Sequence, residues 1–141
     1  MLSIVKNCLT CCGANVPQFI QLKGCGKTIR NRNQYASQNN NNNTIIYSIT
    51  YWKDISINLN LVDNTFDGVG ISQIGRKHFH FILLGNIIEF NSGENGLIKI
   101  EITKHHYNLN ILHYIGYYNV YTKKMQLISE DNTIIGELQF N

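Results

Sequence analysis

Ile55-Ser56-Ile57-Asn58-Leu59-Asn60-Leu61 alternates apolar and polar side chains without a break. Successive side chains of a β-strand point to opposite faces, so such a run buries Ile55, Ile57, Leu59 and Leu61 and leaves Ser56, Asn58 and Asn60 to water. The same period recurs on either side. Upstream, Thr44 to Trp52 is rich in β-branched and aromatic residues, and Lys53-Asp54 reads as the turn between the two runs. Downstream, Asp63-Asn64-Thr65 is a turn into Phe66 to Ser72, where Gly68 and Gly70 mark a bend or bulge.

Beyond Gly75-Arg76, Lys77 to Leu84 places Phe79, Phe81 and Leu83 on one face and His78, His80 and Ile82 on the other. Gly85-Asn86 carries the chemistry of a two-residue hairpin loop and predicts a turn into Ile87 to Phe90. Leu97 to Lys104 sets Ile98, Ile100 and Ile102 against Lys99 and Glu101. His105 to Tyr107 reads as a connection, and Asn108 to Tyr118 as a strand with Leu109, Ile111, His113 and Ile115 inward. Lys124 to Ser129 and Thr133 to Phe140 complete the series around a Glu130-Asp131-Asn132 turn, with Ile134, Gly136, Leu138 and Phe140 inward. Parallel strands need crossover connections of a dozen or more residues, which this segment lacks. The expected fold is therefore all-β: an antiparallel meander of eight to ten short strands over residues 44–141, closed into a small barrel that removes exposed edges. A β-sandwich is the alternative.

The chain before Thr44 differs in composition. All five of its charges are basic (Lys6, Lys23, Lys27, Arg30, Arg32), while seven basic residues face nine acidic ones from Thr44 onward. Residues 1–37 read as a poorly structured basic arm, with a short strand suggested by Phe19, Ile20 and Leu22, and the Asn-rich tract 38–43 as a linker that cannot bury anything. Cys8, Cys11 and Cys12 with Cys25 make only half of a zinc site, so no metal is expected there. A cysteine cluster backed by Lys6 and the basic run Lys23 to Arg32 suits lipidation and peripheral membrane contact, which needs two such signals. Gly24-Cys25-Gly26-Lys27-Thr28 is not a phosphate-binding loop, because Gln21 stands where the first glycine is required. No run approaches the roughly 18 apolar residues of a membrane span, and no secretory leader is evident, so the expected location is the cytosol.

Phe66-Asp67-Gly68-Val69-Gly70, Phe79 to Gly85, Gly96 to Ile102, Tyr114-Ile115-Gly116 and Gly136 to Phe140 repeat a turn-glycine, strand and hairpin pattern. Residues 44–141 in this respect resemble the calycin-type up-and-down barrels, the lipocalins, fatty-acid-binding proteins and avidins. They depart from the lipocalin Gly-x-Trp mark, since Trp52 follows Thr50-Tyr51. The resemblance implies an interior that encloses a small apolar ligand, lined here by Ile57, Leu59, Phe79, Phe81, Ile100, Ile111 and His113. A second reading is a protein-interaction surface at a Tyr-rich barrel end (Tyr107, Tyr114, Tyr117, Tyr118), with the membrane tether on Cys8, Cys11 and Cys12. No hydrolase or metalloprotease motif is present, and the net acidic body disfavours nucleic acid. The expectation is a non-enzymatic binding module without a cofactor.

Overall fold

The computed structural model describes residues 19–31, 47–91, 96–107 and 110–141. Eight strands run in chain order around a closed barrel: β1 (Phe19–Asn31), β2 (Tyr47–Asn60), β3 (Thr65–Ile74), β4 (Lys77–Asn91), β5 (Leu97–His106), β6 (Leu112–Asn119), β7 (Lys124–Ser129) and β8 (Ile134–Phe140). Every neighbouring pair is antiparallel, and β1 pairs with both β2 and β8 to close the ring. The meander and its closure are those the alternation implies.

The barrel begins at Phe19, which corrects the boundary expected near Thr44. Ile20, Leu22, Thr28 and Arg30 keep a strict period of two along β1, but glycines hold the middle inward positions, so its apolar signal is thin. Those glycines serve closure. Gly24 lies opposite Phe140 and Gly26 opposite Leu138, and a Cβ on either would run into the β8 backbone at Gln139 or Glu137. Lipidation of Cys8, Cys11 and Cys12, and the linker 38–43, fall outside the described residues.

Two expected turns lie inside long strands, one at a bulge and the other just before one. At Lys53-Asp54 the β2 register against β3 shifts between Lys53 and Ser56, with Asp54 at φ 50°. The extra residue changes the parity, so Trp52 points inward before the bulge and Ile55, Ile57 and Leu59 after it. Gly85-Asn86, expected as a hairpin loop, lies in the middle of β4, paired with Ile102 and Glu101 on one side and with Phe66 and Thr65 on the other. The β4 parity changes just beyond it, between Ile87 and Glu89, which puts Ile87 and Phe90 inside. Bulges of this sort let long strands curl around a small barrel.

Eight strands enclose an interior just wide enough for side chains to fill. Trp52, Phe66, Phe81, Ile98, Ile100, Met125, Leu138 and Phe140 belong to one continuous buried cluster. Trp52 is its hub, with ring centroids 5.1 Å from Phe81 and 5.7 Å from Tyr114. Gly70 pairs with Phe81, and a Cβ there would strike the Phe81 ring. Gly70→Val is thus expected to lower stability by about 1–3 kcal/mol, the usual cost of overpacking, read as a lower urea midpoint at unchanged slope.

Candidate functional site

Inward positions change character along the barrel axis. At the end formed by Phe19, the β2–β3 turn and the β6–β7 turn, the interior is apolar, with Leu22, Leu61, Phe66, Phe90, Tyr118 and Phe140. At the other end lie Asn31, Tyr47, the β3–β4 turn, the His106 to Leu112 connection and the β7–β8 turn. The same inward parity there brings Thr28 and Arg30 from β1, Ser48 and Thr50 from β2, Ser72 from β3, Lys104 and His106 from β5, and Tyr114 from β6. All of these except Ser72 line one cavity of about 260 Å³ that opens at this end, and none of the described residues lining it is a carboxylate.

Lys104 forms part of the floor. It is 1% exposed, and its Nζ lies 3.8 Å from the Trp52 ring centroid and 4.6 Å from that of Phe81. The flanking rings satisfy the amine in part through their π faces, and burial brings its pKa down to about 7. His106 is held by a 2.9 Å hydrogen bond between Nε2 and Ser72 Oγ, with the Phe81 ring edge-on at 5.9 Å. Burial and then the charge of Lys104 push its pKa down to about 4, so it is neutral at physiological pH. Tyr114 is driven up to about 12, mainly by burial, and keeps its proton. Trp52 Nε1 donates to Thr28 Oγ1 at 3.3 Å, which turns the indole plane under the amine. Beside the mouth, Asp131 accepts hydrogen bonds from the Thr133 and Ser129 hydroxyls at 2.7 Å each, and these hold its carboxyl down to about 2.

The residues expected to bind a ligand are divided by the wall. Phe81 is buried and Phe79 half-buried near the mouth, but Ile111 and His113 are exposed. The β6 parity is therefore the reverse of that expected. Directly opposed residues of an antiparallel pair share a face, and β5 sets Ile102 against Tyr114, Ile100 against Gly116 and Ile98 against Tyr118. With the three isoleucines inside, Tyr114 and Tyr118 must be inside too. The expected Tyr-rich patch is corrected by the same register: Tyr114 and Tyr118 are buried, while Tyr107 and Tyr117 are exposed. Tyr107 follows β5 at the polar end, and Tyr117 pairs with Lys99 toward the apolar end, so no single patch gathers them. His78 and His80 lie on the outer surface, and among the described residues no group of three or more His, Cys, Asp and Glu could hold a metal.

Three larger depressions of about 500–530 Å³ run along the outer wall, one of them past His113, Glu101 and Thr103. They are grooves between outward-facing side chains, whereas the mouth gathers convergent polar groups over an apolar floor, the usual composition of a ligand site. The chain matches no family model, no curated protein and no solved structure.

Proposed function

We propose that the protein is a non-enzymatic binding module of calycin type that takes a small ligand at the polar mouth of its barrel. One observation carries this reading: Lys104, Arg30, His106, Tyr114 and three hydroxyl-bearing residues converge on a single cavity closed below by Trp52 and packed apolar side chains. The occupant has an apolar body that meets the aromatic floor and one polar group that meets the inward amine and hydroxyls. The ligand sits at the mouth because large side chains fill the barrel below Trp52.

Native mass spectrometry of the full chain purified from its own cells tests this, beside a denaturing spectrum. The expected result is an added small-molecule mass that survives native spray and is lost on denaturation. Ser48→Trp places an indole at the half-exposed rim and is expected to abolish that mass while leaving the urea midpoint within about 0.5 kcal/mol, the usual range for surface changes. A bare polypeptide mass from the unaltered protein, or full occupancy of the Trp variant, would refute the assignment.

A further inference from the structure

Lys104 is unusual among the charged groups of this chain. It sits inside the barrel, nearly inaccessible, and no ion pair reaches it: the single ion pair among the described residues is Lys124 with Glu137 on the outer wall. Burying an ammonium ion without a counter-charge is costly, and the ordinary responses are a partner or loss of the proton. Here the surroundings offer ring faces, hydroxyls and a second cation. Lys104 lines the mouth cavity, with the Trp52 and Phe81 rings against its Nζ.

We propose that Lys104 captures an aldehyde ligand as a reversible imine at the barrel mouth. This rests on the mouth being the ligand site and specifies the ligand's reactive group. A desolvated lysine is the amine chemistry uses for this purpose, because the free base is the nucleophile and an apolar setting maintains it. The Nζ lone pair attacks the carbonyl carbon, forming a C–N bond, and a proton passes from nitrogen to the carbonyl oxygen to give a carbinolamine. The carbinolamine expels its hydroxyl with a proton as water, leaving a C=N bond. No electrons are gained or lost overall. Tyr114, which keeps its phenolic proton, lines the same cavity and offers a hydrogen-bond donor there, while the proton that leaves with the hydroxyl comes from the carbinolamine nitrogen. Trp52 and Phe81 flank the amine and shield the imine from hydrolysis on that side, so capture is favoured by geometry as well as by nucleophilicity.

The groups that face this amine set its pH dependence. Leu83 pairs with it from β4 and Leu112 from β6, both uncharged. Arg30, neutral His106 and Tyr114, which keeps its proton, line the same cavity. Asp131 lies beyond Arg30 at the rim. Among the described residues no ion pair reaches Nζ, and burial lowers its pKa.

The test incubates the full-length protein with 2-naphthaldehyde and sodium cyanoborohydride, which reduces an imine to a stable secondary amine, followed by peptide mapping. At pH 7.5 Lys104 is expected to be alkylated at least about tenfold faster than the exposed Lys27, Lys53, Lys77, Lys123 and Lys124. Its rate should level off above about pH 8. Lys104→Met removes the adduct, and the unaltered protein binds 2-naphthalenemethanol, the matching alcohol that cannot form an imine. Alcohol binding with no preferential labelling of Lys104 would overturn the imine and leave the mouth site standing. Failure of both aldehyde and alcohol to bind would overturn the two together.

Discussion

Removing residues 1–43 is expected to leave a polypeptide that does not fold. Residues 44–141 retain seven strands, but the ring lacks β1, which bonds β2 along one edge and β8 along the other. The loss strips cover from Trp52, whose indole N–H is bonded to Thr28, and takes the buried Leu22 side chain with it. It also leaves two long strand edges unpaired, which promotes association between chains. The full-length protein should show one cooperative urea transition and elute as a discrete species, whereas 44–141 should lack near-ultraviolet dichroism from Trp52 and aggregate. Adding a synthetic 19–31 peptide should recover part of the signal. A cooperative transition of 44–141 at the full-length midpoint would show that closure through β1 is dispensable.

Lys104 should make stability depend on pH in an unusual direction. Its pKa falls from 10.5 in the unfolded chain to about 7 in the fold, so between those values the unfolded state binds more protons. Stability therefore rises with pH across this window and levels off above it. Below pH 7 the lysine is charged in both states, and the full desolvation penalty applies. His106, lowered to about 4 from 6.5, acts in the same sense across its own lower window, with less force because it is only part-buried. Lys104→Met keeps most of the stem's volume and removes the charge. It is expected to raise stability at pH 6 by about 2–4 kcal/mol and to flatten the rise between pH 7 and 10. Urea midpoints taken at intervals from pH 5 to 10 measure both effects. A midpoint that falls between pH 7 and 10 in the unaltered protein would mean that the amine has a counter-charge.

Much of the barrel is legible in the sequence because alternation is a direct consequence of a buried face. Ile55 to Leu61, Ile98 to Ile102 and Ile134 to Phe140 all point as their parity implies. Parity fails where both faces are apolar. On β6, Ile111 and Ile115 compete with Leu112, Tyr114 and Tyr118, and only the register against β5 decides between them. Turn chemistry misleads at Lys53-Asp54, since residues that tolerate turns also tolerate bulges, and at Gly85-Asn86, where the glycine is regularly paired and a Cβ would run into the Glu101 carbonyl.

The mouth was within reach of the sequence. Two further steps along Ile98, Ile100 and Ile102 arrive at Lys104 and His106, so a strand that keeps its period must carry a lysine inward. His105 to Tyr107 reads as a connection, but β5 runs on through His106. The β1 contribution, Thr28 and Arg30, was masked by glycines and by basic charge that resembled a solvated arm. Neither could be placed without knowing that the chain's first described strand meets its last.

That meeting also governs when the fold can be completed during synthesis. Phe19 to Asn31 leave the ribosome first among the described strands, and their second partner, Ile134 to Phe140, leaves last. Until Ile134 to Phe140 emerge, β1 can pair only with β2, the barrel remains an open sheet, and the Trp52 side of the core stays exposed to water. Closure joins segments more than a hundred residues apart, a contact that is slow to form because a long loop must be ordered first. The nascent chain is thus most vulnerable to aggregation just before β8 emerges, and co-expressed holdase chaperones should raise the soluble yield.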